Sequence, residues 1–161
     1  MRVALQLLLT ASLGFAAAVS VHAQTDARAL KLINDARSRP RRCGAQTFPA
    51  AKPLTVNAKL AQAALLHSRE MAEHSDMTHE GRDTSTPAER VTREGYRWSA
   101  AGENVAAGQK TTDAVVAAWL ASPGHCANIM NGQYTEMGIA SAVNDRDRYG
   151  VYWTLSLAAP R

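Results

Sequence analysis

Four side chains able to bind a divalent cation or move a proton near neutral pH sit at turn-like positions in this chain. His79 lies in Met77-Thr78-His79-Glu80-Gly81, and Glu103 in Ala101-Gly102-Glu103-Asn104-Val105. His125 lies in Ser122-Pro123-Gly124-His125-Cys126, and Glu136 in Tyr134-Thr135-Glu136-Met137-Gly138. Imidazole and carboxylate together suit zinc or another divalent cation, with positions left open for water or a ligand. Without a metal, the same groups form an acid–base set in which a carboxylate favours the protonated imidazole. There is no His-Glu-x-x-His helix, no paired Cys-x-x-Cys and no Gly-x-Ser-x-Gly nucleophile turn. Any site is therefore assembled by the fold from separated segments. His67 falls on an apolar helical face and reads as a satisfied core histidine, whereas His74 reads as a surface residue.

The elements that must do the positioning can be read from periodicity. Asp26 is placed to cap a helix running to about Ser38, with Ala29, Leu30, Ile33 and Ala36 on one stripe. Asn57 is the N-cap of a second helix through about His74, striped by Leu60, Ala64, His67 and Met71. Thr86-Pro87-Ala88-Glu89 joins a capping box to a proline at the first helical position, so a short helix runs to about Glu94. Trp98 to Gly108 reads as extended or irregular. Thr111 or Thr112 opens a helix that buries Val115, Val116, Trp119 and Leu120. Ser122-Pro123-Gly124 breaks it, with one further helical turn over His125 to Met130. Two strands, around Met137 to Val143 and Tyr149 to Leu157, close the chain as a hairpin. Helices followed by antiparallel strands define an α+β layered domain.

Composition sets the compartment. Arg2 precedes the uncharged, alanine-rich run Leu5 to Val21, and Val21-His22-Ala23 has the small residues of a signal-peptidase site. Residues 1–23 are expected to be a signal peptide, and 24–161 a single domain, secreted or periplasmic, with no stable membrane anchor after cleavage. A retained anchor is the alternative, and about 20 apolar residues would be needed for it. The two cysteines, Cys43 and Cys126, read first as a disulfide in an oxidising compartment. Such a bridge closes a long loop, a contribution of about 4 kcal/mol in the chain-entropy model. A reactive thiol at Cys126 beside His125 is the alternative. The net charge is +4, and Arg37, Arg39, Arg41 and Arg42 form the only dense basic run. That run reads as a solvated helix end and loop, or as a contact for anionic surface polymers. No nucleic-acid motif and no aromatic–basic interleaving is present, so nucleic acid is not an expected partner.

The order of motifs carries a resemblance. Asn57-x-x-Leu60, His67-Ser68-x-x-Met71-Ala72, His79, Arg90-x-x-x-x-Gly95-Tyr96, Gly102-Glu103-Asn104-Val105-Ala106-x-Gly108, Trp119-x-x-Ser122-Pro123-Gly124-His125-x-x-Asn128-Ile129-Met130, Gly138 and Tyr152-Trp153-Thr154 follow one another. Together, from about Leu30 to Leu157, they resemble a bacterial CAP domain, of the superfamily of cysteine-rich secretory, antigen 5 and pathogenesis-related 1 proteins. The resemblance implies an α-β-α sandwich, with a small antiparallel sheet between helices and a central cleft. In the superfamily that cleft usually holds two His and two Glu, and in some members zinc or another divalent cation. His79, Glu103 and His125 match three of the four positions. Animal members place the fourth carboxylate after the helical Trp, where this chain reads Trp119-x-x-Ser122, and Glu136 is the candidate replacement. A site short of one carboxylate holds metal more weakly. The cysteine pair fits a bridged variant of the family.

The resemblance implies a binding or effector module more than an enzyme, with a small apolar, lipid or cell-envelope ligand. Two alternatives stand beside it. One is a metal-assisted hydrolase with Glu103 as ligand or general base; the other is a structural envelope protein with a vestigial cleft.

Overall fold

A computed structural model describes residues 27–161. The expected signal peptide and the Asp26 cap lie outside the described residues. Helix α1 occupies 27–37, and two short strands follow, β1 (Arg41–Cys43) and β2 (Gln46–Phe48). Then come β3 (Thr55–Val56), α2 (Ala58–His74), α3 (Pro87–Arg93), β4 (Trp98–Ala107), α4 (Thr112–Ala121), α5 (Pro123–Met130), β5 (Glu136–Val143) and β6 (Val151–Pro160).

The main sheet has the order β3-β5-β6-β4. Its three long strands pair antiparallel, and β3 adds two residues in parallel to β5. Strand β6 is central, and its residues Tyr152 to Ala158 are all buried. Continuous burial requires cover on both faces, and the helices supply it. Trp153, Leu155 and Leu157 pack with Ala29, Ile33, Val115, Trp119 and Ile129, which places α1, α4 and α5 on one face. On the other face Tyr152 packs with Met71 and Ala72 of α2, and Ser68 donates to Thr154 Oγ1 at 2.9 Å. This is the α-β-α sandwich expected from the sequence.

Local chemistry starts and stops the helices as read. Asn57 accepts from the Lys59 N–H, and Ser75 ends α2 in the left-handed region. Thr86 and Glu89 complete both halves of the capping box of α3. At Ser122 the structure differs from the sequence reading. Pro123 does not end helical structure but opens α5, which runs for 8 residues. Proline at the first position lacks only an N–H that would be unpaired anyway, so one extended residue, Ser122, separates two helices. The segment from Trp98, read as extended or irregular, is a ten-residue strand, with one register shift between Trp98 and Ala100 and unbroken pairing with β6 from there to Ala107. Its small residues carry little strand propensity, and pairing with β6 decides the matter.

Arg37 is also a correction. Read as part of a solvated basic run, it is 0% exposed. Its guanidinium donates to the carbonyls of Lys52, Ile129, Asn131 and Tyr134 at 2.6–3.0 Å. A planar fork with five N–H groups can satisfy several carbonyls at once. Arg37 thereby ties α1 to the C-terminal end of α5 and the loop beyond it.

Helix α2 lies on β5 with no room between them. A Cβ added at Gly138 would sit 2.0 Å from the Ala61 nitrogen and 2.3 Å from the Leu60 carbonyl carbon. Gly138→Ala is expected to destabilise the fold by about 3 kcal/mol, because backbone rather than a flexible side chain must move. Gly132→Ala, which meets nothing within 4 Å, is the control. Urea unfolding of the two variants checks the difference.

Candidate functional site

The segment Gly102-Glu103-Asn104 assigns each residue a separate task. A Cβ on Gly102 would stand 2.3 Å from the Tyr134 hydroxyl oxygen and 2.9 Å from Asn128 Oδ1, so a side chain there would displace the Tyr134 and Asn128 side chains from β4. Successive strand residues point to opposite faces. Glu103 therefore faces α2 and α3, while Asn104 faces α5. Asn104 Nδ2 donates to the His125 carbonyl at 3.1 Å, and its Oδ1 accepts from Asn128 at 2.9 Å. Asn128 also donates to the Glu103 carbonyl at 3.0 Å, and the Trp119 indole N–H donates to the Val105 carbonyl. Side chains of α4 and α5 thus occupy the free edge of β4 and fix the start of α5 beside it.

The Glu103 carboxylate is 3% exposed. Oε2 accepts from Arg90 of α3 at 2.7 Å, and Oε1 accepts from His79 Nδ1 at 2.9 Å. Arg90 also donates to the carbonyls of Ser85 and His79, at 2.8 and 3.0 Å. The loop between α2 and α3 is anchored from a second side as well. His67 Nε2 donates to the Thr78 carbonyl at 2.8 Å, and Glu70 accepts from the Arg82 N–H at 2.9 Å. His67 is buried with both ring nitrogens engaged, at 3.2 Å from Glu70 and 3.9 Å from Glu103. The outcome is a His79 ring held at the loop surface, 53% exposed, with its Nδ1 hydrogen committed to Glu103.

His79, Glu103 and His125 line one open cleft of about 550 Å³, together with Phe48, Asn104, Asn128 and Asn131. His125 is half-buried, and burial, followed by the proximity of His79, pushes its pKa down. It stays neutral near pH 7, with a ring lone pair available. Cys126, the next residue, is bridged to Cys43 with the Cα atoms 5.5 Å apart. The bridge fastens the β1–β2 hairpin to α5 and leaves no thiol at Cys126.

Glu136 is not brought to this cleft. On β5 it lies two strands and two residues from Glu103, on the order of 12 Å away. Its carboxylate accepts from Asn57 Nδ2 at 3.1 Å and from the Tyr96 hydroxyl, so it links the start of α2 to the end of α3. Burial and this hydrogen bond push the Tyr96 pKa well up. Glu136 therefore acts as a structural acceptor rather than a fourth member of the cleft. Ser122, at the other candidate position, brings no carboxylate. Among the described residues no group of three or more His, Cys, Asp or Glu is arranged to hold a metal ion.

Several site residues were not singled out from the sequence. Arg90, Asn104 and Asn128 stood in the motif succession without assigned roles, and their signal was that position alone. Phe48 had no signal beyond a Phe-Pro pair in a loop.

Two outcomes follow from this geometry. Arg90→Met leaves a buried carboxylate without its cation and is expected to destabilise by about 3 kcal/mol, whereas Arg90→Met with Glu103→Met recovers most of the loss. A double-mutant cycle in urea checks it. Because the folded pKa of His125 is lowered, its contribution to stability is full above the unfolded value of about 6.5 and is lost as pH falls through the folded value. Urea midpoints measured between pH 7.5 and about 4.5 are expected to fall less steeply in His125→Gln than in wild type.

The comparisons with known proteins agree with this architecture. The Cysteine-rich secretory protein family (CAP) model matches residues 30–157. The uncharacterized protein YkwD of Bacillus subtilis is 35% identical over 88 residues, which are 55% of this chain and 34% of that protein. The chain thus spans about a third of the length of that curated relative. An extracellular SCP-domain protein from Bacillus anthracis superposes with a TM-score of 0.71 at 23% identity, over 92% of this chain and 45% of its own. An outer surface protein from Borrelia burgdorferi gives 0.63 at 16% identity, over 91% and 95%. At such identities these structures show the fold. With a family model matched over most of its length and the sandwich that goes with it, this chain belongs to the CAP, or cysteine-rich secretory protein, family.

Proposed function

We propose that this is an exported CAP-domain binding module whose cleft holds a divalent cation between His79 and His125. The observation that carries the reading is the pairing of Glu103 with His79. A carboxylate that accepts from the far nitrogen of an imidazole fixes the ring and leaves Nε2 as a ligand, the arrangement found behind metal-binding histidines. His125, kept neutral by burial, supplies a second imidazole lining the same cleft. The donor set therefore fits two imidazole nitrogens, with Glu103 behind one of them as orienting group and not as ligand. A bound cation would supply a Lewis-acidic anchor for a ligand oxygen. A site with two protein ligands is weaker than one with three or four, so it suits reversible binding.

Export is supported by the signal-like N-terminal sequence and the disulfide. Among the described residues no helix is long and apolar enough to cross a membrane. A hydrolytic role for Glu103 has less support. Both its oxygens already hold donors and the side chain is almost fully buried, which places it poorly to take a proton from a water in the cleft.

Zinc titration of the mature protein by calorimetry tests the reading. Wild type is expected to bind, and His79→Ala and His125→Ala each to weaken binding about tenfold or more. Equal affinity in all three proteins would overturn it.

A further inference from the structure

The arginines of the hairpin remain without a task once Arg37 is accounted for. Residues 36–69 contain no Asp or Glu, so nothing in this stretch neutralises Arg39, Arg41 and Arg42. Among the described residues none of the three forms an ion pair, and Arg42 alone donates, to the Gly44 carbonyl within its own turn. Arg41 pairs in register with Phe48. Directly paired residues share a face, with Cβ atoms about 5 Å apart. Cys43 lies on that same face and bridges to α5, so this is the inner side of the hairpin. Phe48 lines the cleft, and Arg41 stands beside it. Arg41 Nε is shielded from solvent and has no hydrogen-bond partner.

We propose that this hairpin is a recognition wall for a carboxylated polysaccharide, with a sugar ring laid on Phe48 and its carboxylate paired with Arg41. An aromatic face offers apolar surface to the C–H face of a ring, and a guanidinium fork matches a carboxylate in geometry and charge. One acidic sugar residue satisfies both neighbours. Arg39 and Arg42 extend the positive charge along the hairpin, where further carboxylates of the same polymer would lie. The cleft is open and its lining mixed, with imidazoles and the amides of Asn128 and Asn131 beside Phe48 and Ala127, so it does not enclose a lipid chain as a deep apolar pocket would. Glu103, the acid in the cleft, is buried and paired with Arg90, so it does not repel an anion at the surface.

The proposal rests on the cleft being a binding site but not on its metal. The test is therefore run in EDTA, which separates loss of polysaccharide binding from loss of zinc binding. Polygalacturonate, polyphosphate and neutral dextran are titrated into the mature protein at low and high salt. Polygalacturonate is expected to bind with salt-dependent affinity and dextran not to bind. Arg41→Gln and Phe48→Leu, which keeps apolar packing against the disulfide, are each expected to weaken polygalacturonate about tenfold. Arg42→Gln, the same charge change on the outer face, is expected to change it by about threefold or less. The proposal is overturned if Arg42→Gln weakens binding as much as Arg41→Gln. It is equally overturned if polyphosphate binds as tightly with no response to Phe48→Leu, or if polygalacturonate does not bind.

Discussion

A single buried carboxylate organises one side of this molecule. Glu103 projects from a sheet strand into the layer of α2 and α3, where an uncompensated charge would be strongly unfavourable. Arg90 answers it from α3, and that same guanidinium holds the carbonyls of Ser85 and His79. The ion pair therefore fixes the position of a short helix and the end of a polar loop together. His67 and Glu70 of α2 hold the middle of the loop. Between these two anchors His79 has little choice of position, although its ring is exposed. A loop without a core of its own is made rigid by polar groups whose burial demands partners.

The other half of the cleft is built on different physics. Helix α5 is short and begins with a proline, and a short isolated helix is marginal in water. Four restraints hold it: Asn104 and Asn128 at the edge of β4, the Cys43–Cys126 bridge, the apolar seat of Ile129, and the Arg37 guanidinium at its C-terminal carbonyls. A cation against unpaired carbonyls at a helix C-terminus is favourable on both hydrogen-bonding and dipole grounds. His125 is carried on this restrained helix, so its depressed pKa follows from where the helix is fixed. The two histidines come from opposite layers of the sandwich and meet only where the edge of β4 ends both.

The bridge also defines what lies next to the cleft. The β1–β2 hairpin makes its own two-stranded sheet, separate from the main one, and the disulfide with a small cluster of Met130, Phe48 and Ala127 connects it to α5. Phe48 reaches the cleft through that connection. Neither cysteine lies within the four-residue set that suggested a site, yet one of them helps determine which side chains border it.

Much of the architecture was legible in the chain because it depends on local signals. The capping box at Thr86 and Glu89, the Asn57 cap, the stripe Leu60, Ala64, His67 and Met71, and the alternation before Leu157 each report an element through chemistry a few residues apart. The motif order gave His79, Glu103 and His125, together with the family and the sandwich. Tertiary structure decided what depends on register and depth. Glu136 reads as a site carboxylate, but pairing on β5 sets it beside Tyr96 and Asn57, two strands from Glu103. Arg37 reads as a surface charge, but α1 turns it inward to carbonyls that come from more than ninety residues away in sequence. Arg90 acquires its task only because Glu103 is buried. A sequence displays the spacing of side chains along one dimension, whereas charge pairing and burial are settled by distances that exist only after the layers have packed.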